Sequence, residues 1–430
     1  MKKVNIISLG CSKNLVDTEL LLKQLDRAGY ATEVDAEASD AGIVVVNTCG
    51  FIGDAKEESV NTILEQVERK NAGIVKQLYV IGCLSQRYGE ELKKEIPEVD
   101  AFFGKFDWKE VLKKMGEDFE EQCRNQRILT TPAHYAYLKI SEGCNRTCSY
   151  CAIPLMTGKH VSRVFDEILD ECRELVKDGV KEVLVVAQDL TYYGIDRYGK
   201  NRLPELIDCM AAIEGLEWIR LHYAYPAGFP EELLTVMNRH PNVCKYLDIA
   251  LQHGSDHMLQ QMRRGITKKQ TIDLIRKIRQ EVPGIFIRTT LMTGHPGETP
   301  QDFEELCEFV QDMKFERLGV FPYSHEDDTY CDKHYQDDVP ETVKKERAEK
   351  IMELQAGISG NLNRSFVSKT VKVLVDRREE GGYAGRTEFD SPEVDPEVLI
   401  TTDKELKIGE FYMVQITGYD EYDLYAELSI

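Results

Sequence analysis

Three cysteines define the chemistry open to this chain. Cys144, Cys148 and Cys151 stand in the spacing C-x-x-x-C-x-x-C within the run SEGCNRTCSYC, residues 141–151. Three thiolates on one short loop can hold three irons of a cubane iron–sulfur cluster. The fourth iron then lacks a protein ligand and is open to a small molecule. The plainer reading is a structural zinc knuckle, which requires a closed set of four ligands. No fourth cysteine or histidine lies close by, and His160 is separated from the loop by Pro154 and Gly158.

A second set is spread along the first part of the chain. VNIISLGC ends at Cys11, GIVVVNTC at Cys49 and QLYVIGC at Cys83. Each run is apolar and β-branched without a helical period, the pattern of a strand buried on both faces. Helical stretches are predicted after them, over 14–28, 55–70 and 85–95. This alternation predicts an open parallel α/β sheet, whose sites form along the shared carboxyl edge of the strands. All three cysteines arrive at that edge. One buried cysteine at a strand end is ordinarily packing. Three equivalent ones point to a second three-thiolate cluster, with a redox or zinc site as the alternative.

The loop at Cys144 follows a strand-like run over 135–140 and opens a second alternating region. Strands are predicted over 137–141, 182–187, 218–222, 246–251, 286–292 and 317–322, with helices such as 165–177, 231–238 and 268–279 between them. Six such units predict a partial parallel barrel with its chemistry on loops at the carboxyl ends. The residues after the strands fit that placement: Cys144, then Gln188 and Asp189, His222, Gln252 and His253, and Thr293–Glu298. In TGHPGET, Gly294 and Gly297 would let backbone approach a ligand. The same stretch also reads as a helix start, with Thr299 as cap, Pro300 at the first position and Glu304 in the first turn. His222, His253 and His295 are possible acid/base groups, although isolated histidines at a barrel rim usually serve as hydrogen-bonded structure. Cys172, Cys209 and Cys307 fall on helical patterns, Cys123 and Cys331 in polar stretches, and Cys244 just before a strand. None of them has ligand-like spacing.

A helix over 341–362 leads to a last stretch of short alternating strands and frequent turns, which predicts an OB-like β-barrel of about five strands. From residue 366 onward it carries seven Lys/Arg and fifteen Asp/Glu, a formal net of −8. Its aromatics lack the basic groove that accompanies RNA binding. An acidic barrel favours a basic protein partner over nucleic acid.

The bulk numbers agree with a multidomain globular chain. At 430 residues it can build two or three cores. No apolar run is long enough to span a membrane and no signal-peptide pattern follows Met1, so the expected location is the cytoplasm. The chain has twelve cysteines, and in the cytoplasm those that cluster point to metal or redox chemistry more than to disulfides. The net charge of −21 disfavours general binding to polyanions.

The run KISEGCNRTCSYCAIP resembles the cluster loop of radical S-adenosylmethionine (SAM) enzymes, and more narrowly that of the methylthiotransferases. ISLGCSKNLVDTE, VVVNTCGFI and VIGCLSQRY are similar to the amino-terminal domain of the same family, and the last barrel to its TRAM domain. The resemblance covers nearly the whole chain. It implies an amino-terminal α/β domain over 1–125, a radical SAM (βα)6 partial barrel over 132–360 and a TRAM β-barrel over 366–430. It implies two [4Fe-4S] clusters, one on Cys144, Cys148 and Cys151, the other, auxiliary, on Cys11, Cys49 and Cys83. SAM contacts are expected from Tyr150, Gln188, Gln252, Gly294 and Gly297. The first cluster would generate a 5′-deoxyadenosyl radical and the second would relay sulfur. LGCSKNLVDTE resembles the branch that adds a methylthio group to the β-carbon of an aspartate in small-subunit ribosomal protein twelve. Such an enzyme also needs a sulfur donor and a one-electron reductant. The alternatives are a tRNA adenosine methylthiotransferase and a non-catalytic iron–sulfur or zinc protein that binds the ribosome.

Overall fold

The computed structural model describes residues 2–429; Met1 and Ile430, the outer ends of the expected first and last domains, lie outside them. The first sheet has five parallel strands in the order β2-β1-β3-β4-β5: β1 (Lys3–Ser8), β2 (Ala31–Val34), β3 (Ile43–Thr48), β4 (Gln77–Gly82) and β5 (Ala101–Phe102). The three predicted strands occupy its centre. Helices α1 (Ser12–Arg27), α2 (Gly53–Asn71) and α3 (Cys83–Glu95) follow them. Buried Val4, Ile6, Val44, Val45, Val46, Leu78 and Val80 fill both faces of the sheet, which accounts for its continuous apolar runs. The sequence reading missed β2 and β5 because β2 is only half-buried throughout and β5 has two residues.

The second sheet is the partial barrel: β6 (Tyr135–Lys139), β9 (Glu182–Val186), β10 (Trp218–Ala224), β11 (Val243–Ile249), β12 (Phe286–Thr293) and β13 (Arg317–Pro322), in the order β13-β12-β11-β10-β9-β6. All of its pairings are parallel. Between β6 and β9, a short antiparallel ladder of β7 (Ser141–Glu142) on β8 (Val161–Ser162) brackets the cysteine loop. Cys244 lies within β11 rather than before it, because that strand begins earlier than its apolar run suggests. The start of the helix Pro300–Met313 is capped by Thr299, with Asp302 completing a capping box. Glu304 lies beyond that first turn, so Asp302 is the acidic residue there.

The third unit is a closed barrel of β14 (Thr370–Glu379), β15 (Gly382–Arg386), β16 (Val398–Thr401), β17 (Phe411–Tyr419) and β18 (Leu424–Leu428). Helix Glu341–Arg364 leads into it. The connection from β15 to β16 reaches into the concave side of the partial barrel. There Asp390 pairs with Arg317 (2.5 Å), Asp395 with Arg288 (3.2 Å) and Tyr246 (2.7 Å), and Ser391 with His222 (3.1 Å). Glu393 accepts from the hydroxyls of Tyr135 (3.2 Å) and Tyr137 (3.3 Å). One end of the partial barrel is thus closed by the last unit. Among the described residues, no helix is long and apolar enough to cross a membrane.

Candidate functional site

The first three cysteines come together because their strands are neighbours in register. Ser8 lies opposite Asn47, and Thr48 opposite Gly82. Cys11 caps α1, its carbonyl accepting from Asn14 (2.9 Å) and Leu15 (3.1 Å). Cys49 follows β3, and Cys83 is the first residue of α3. Two glycines allow the loops to touch. A Cβ on Gly10, whose φ is +93°, would lie 2.7 Å from Cys49 Cβ. A Cβ on Gly50 would lie 2.8 Å from the Leu84 nitrogen. Any larger residue at either position would force the cysteine loops apart.

Buried Asn14 ties the three loops together. Its Nδ2 donates to the carbonyls of Leu9 (3.1 Å) and Thr48 (3.0 Å). Its Oδ1 accepts from the Cys83 thiol (3.6 Å) and from Lys105 Nζ (3.4 Å). Burial pushes the Cys83 thiol up to about 12 and raises Cys49 as well. Burial would also raise Cys11, but the ammonium groups of Lys13 and Lys105 outweigh it and bring that thiol below its ordinary value.

The second triad sits on the loop after β7. The Cys144 amide donates to the Gly158 carbonyl (3.2 Å), and the Cys151 amide to the Cys148 carbonyl (3.2 Å). Buried Ser149 fixes the middle of the loop through the Met262 carbonyl (3.1 Å) and the ring of His295 (3.1 Å). Arg264 Nη1 donates to Cys148 Sγ (3.1 Å) and to the Tyr150 hydroxyl (3.3 Å). Burial pushes the Cys144 thiol up to about 11 and raises Cys151.

The two triads face each other across a seam. Cys83 packs with Ala152 and Met156, directly after Cys151. A buried charge network runs alongside. Lys139, at the end of β6, contacts both Asp17 of α1 and Glu142 of β7. Lys105 lies 3.4 Å from Asp17 and 3.8 Å from Glu142. Burial disfavours an ionised Glu142, but Lys139 and Lys105 prevail and hold its carboxyl down at about 2. At the opposite rim Glu326 pairs with Arg87 (2.6 Å) and Lys56 (3.1 Å), joining α3 and α2 to the loop after β13.

The predicted SAM residues lie around the same mouth, with different surroundings. Gln188 donates to Glu142 (2.8 Å), while its own Oε1 is buried without a hydrogen-bond partner. Gln252 follows β11 with a left-handed φ of +74°. Half-buried Tyr150 belongs to the cysteine loop itself. The two glycines differ: the open side of Gly294 is filled by Lys344 and its amide donates to Glu298 (2.8 Å), while the open side of Gly297 meets no atom within 4 Å. The Gly297 amide donates to Asp338 (2.8 Å). The three histidines are structural, His222 against Ser391, His253 against Glu298 (3.0 Å) and His295 against Ser149 and Cys331 (3.1 Å).

The chain matches the Radical SAM superfamily over residues 138–310, Uncharacterized protein family UPF0004 over 3–104 and the TRAM domain over 367–428. It is 60% identical over 428 residues to a Porphyromonas gingivalis protein named ribosomal protein uS12 methylthiotransferase RimO, covering 99% of each chain. A Bacteroides thetaiotaomicron protein of the same name is 58% identical, covering 99% of this chain and 98% of the relative. The chain belongs to the uS12 methylthiotransferase family. These relatives do not favour the tRNA or the non-catalytic alternative. Among solved structures, the fold is similar to the radical SAM methyltransferase TsrM from Kitasatospora setae, at a TM-score of 0.53, 14% identity and 75% of each chain. It is also similar to the cobalamin-dependent radical SAM enzyme OxsB, at a TM-score of 0.52, 14% identity, 81% of this chain and 56% of that one.

For a uS12 methylthiotransferase each donor set offers three thiols, the number that a cluster with one open iron takes from the protein. All six cysteines are free thiols, gathered in threes, with cations beside each set. A cubane takes one thiolate at each of three irons. Among the described residues no three His, Cys, Asp or Glu side chains converge into a metal-holding geometry, so each set stands as neighbouring thiols rather than as a closed coordination sphere. The sequence reading missed Asn14, Lys105 and Arg264. The signal for the first was available, since Lys13, Asn14, Asp17 and Thr18 put polar residues on the buried face of α1. Lys105 and Arg264 are brought in from distant positions and carried no local signal.

Proposed function

We propose that the chain is a radical SAM methylthiotransferase that adds a methylthio group to the β-carbon of an aspartate in ribosomal protein uS12. In this reading Cys144, Cys148 and Cys151 hold one [4Fe-4S] cluster and Cys11, Cys49 and Cys83 the auxiliary one. The observation that carries it is the seam, where Cys83 packs on the residues directly after Cys151. Two sites that must act on one carbon have to share one cavity. When bound, the clusters and SAM supply the means to remove hydrogen from an unactivated C–H bond and to deliver sulfur to that carbon.

The protein's own residues arrange the cavity. Arg264 fixes Cys148, and Asn14 fixes the three strand-end loops. Val16, Tyr135, Tyr137, Leu184 and Val186 form an apolar wall where α1 meets β6 and β9, which excludes water from reactive species. Tyr150, Gln188 and Gln252, with the backbone at Gly294 and Gly297, contact SAM; the unbonded Oε1 of Gln188 supports a polar ligand there. The division of labour is an amino-terminal domain over 1–125, the radical barrel over 132–360 and the TRAM barrel over 366–430. A sulfur donor and a one-electron reductant come from outside the chain, and the enzyme works in the cytoplasm. The acidic last barrel is suited to a basic ribosomal protein rather than to RNA.

The test is anaerobic iron and sulfide analysis with EPR on the wild type and the triple variant Cys144→Ala/Cys148→Ala/Cys151→Ala. The triple variant should keep about half the iron, the share of one of two independent clusters. The wild type, reduced and supplied with SAM and sulfide, should convert uS12 to its methylthio form by mass spectrometry. A triple variant without iron, or a zinc-loaded protein, would sink the two-cluster assignment.

A further inference from the structure

Three lysines are buried where the cysteine edge of the first sheet meets the partial barrel, and two of them are paired. Lys105 and Lys139 share the carboxylates of Asp17 and Glu142. The third, Lys13, is only 9% exposed, and no carboxylate among the described residues lies within 4.0 Å of its ammonium. The ammonium instead lies 3.5 Å from the ring centroid of Tyr223. An aromatic face offsets only part of what a buried ammonium loses on leaving water. Its one anionic neighbour is the Cys11 thiol, which Lys13 helps to bring below its ordinary value, and no carboxylate stands beside it.

The position of Lys13 narrows which further anion it can meet. Tyr223 stands near the carboxyl end of β10, on the barrel side of the seam, with a left-handed φ of +65°. Its amide donates to Asp248 (3.2 Å), which holds this unusual conformation in place. Lys13 starts two residues after Cys11 and reaches across the seam to this ring. Lys105 already supplies positive charge near Cys11 and Cys83. Lys13 is thus the cation that crosses the seam from the Cys11 loop to the barrel strand carrying Tyr223, with no carboxylate of the described residues within 4.0 Å. In the reading given above, the reacting carbon is the β-carbon of an aspartate, one bond from a carboxylate. A cation holding that carboxylate fixes the carbon and tells aspartate from asparagine.

We propose that Lys13, seated on Tyr223, is the receptor for the carboxylate of the substrate aspartate. This assignment rests on the uS12 reading. It makes Lys13 a specificity-determining residue within the run ISLGCSKNLVDTE.

The test uses the reconstituted full-length enzyme, with intact uS12 and its variant carrying Asp→Asn at the modified position. Affinities are measured by fluorescence anisotropy. The wild type should bind the aspartate form at least tenfold more tightly than the asparagine form. Lys13→Gln should remove that preference by weakening only the aspartate form, with iron and sulfide content and the EPR spectrum of the barrel cluster unchanged. Lys13→Arg should keep most of it. If Lys13→Gln does not load iron, Lys13→Met and Lys13→Arg decide, since both keep an apolar stem on Tyr223: the preference must fall with Met and survive with Arg. A preference that persists without the lysine, or a wild type that does not distinguish the two forms, overturns the proposal. So does a Lys13→Gln variant whose only change is the EPR spectrum of the auxiliary cluster, since that marks a counter-charge to the cluster. Conversion of uS12 by the wild type is scored separately and tests the functional reading alone.

Discussion

Lys139→Met is the sharpest probe of the seam. Its ammonium contacts Asp17 and Glu142 at once, and the three side chains are largely buried. Breaking a buried ion pair by removing one partner costs about 3–5 kcal/mol, because a charge is left without compensation. Lys105 remains, 3.4 Å from Asp17 and 3.8 Å from Glu142. One cation facing two carboxylates compensates only one, so the cost should sit near the lower end, about 3 kcal/mol. Asp17→Asn alone should also destabilise, since it leaves two lysines facing one carboxylate. In the double variant one lysine faces one carboxylate and charge balance returns. Asp17→Asn should therefore recover roughly 1–3 kcal/mol in the Lys139→Met background, a change of sign that simple additivity forbids. Hydrogen exchange of the amides over 12–17 and 139–142 reads this locally, which matters because a multidomain chain need not unfold in one step. Equal destabilisation by Asp17→Asn in both backgrounds would refute the network as the element that binds the two cysteine sets together.

Three further outcomes follow from particular contacts. Gly10→Ala places a methyl 2.7 Å from Cys49 Cβ at a left-handed φ, so it should cost about 2–4 kcal/mol in strain and overlap and lower the iron of the auxiliary site while the barrel cluster's EPR signal stays. Asp395→Ala strips Arg288, Tyr246 and the Ser391 amide of their shared acceptor. It should cost about 3 kcal/mol and expose the β15–β16 connection to limited proteolysis before the rest of the chain. Burial holds the His295 imidazole down at about 4, from an ordinary 6.5, despite its bond to the Pro296 carbonyl. The unfolded chain thus takes up a proton at this residue before the folded one does. Stability from this group is complete above pH 6.5 and falls by up to about 3 kcal/mol as the pH drops to 4; His295→Gln should flatten that part of the urea-denaturation pH profile.

How far the sequence could be read depended on whether a signal was local. The strand-end cysteines were legible because the chain carries one pattern three times, and a parallel sheet turns such repetition into proximity at one edge. Cys144, Cys148 and Cys151 were legible from spacing alone. Contacts that tie one part of the chain to another left no such trace. The run TEFDSPEVDPE reads as a turn-rich acidic loop, yet its Asp390 and Asp395 are paired with arginines of the barrel strands. Glu393 meets Tyr135 and Tyr137, and Asp376 pairs with Arg386 and His134. Part of the negative charge counted for the last barrel is therefore spent inside the molecule, where it fastens that barrel to the radical barrel. A partner meets only the remainder, which includes Glu421 and Glu427 beside exposed Tyr422 and Tyr425. Electrostatic attraction of a basic protein should thus centre on the β17–β18 side and not on the acidic run that dominates the sequence. Charge reversal at Glu421 and Glu427 should slow association with uS12 more than charge reversal at Asp390 or Asp395 does, and the latter pair should show itself in stability instead.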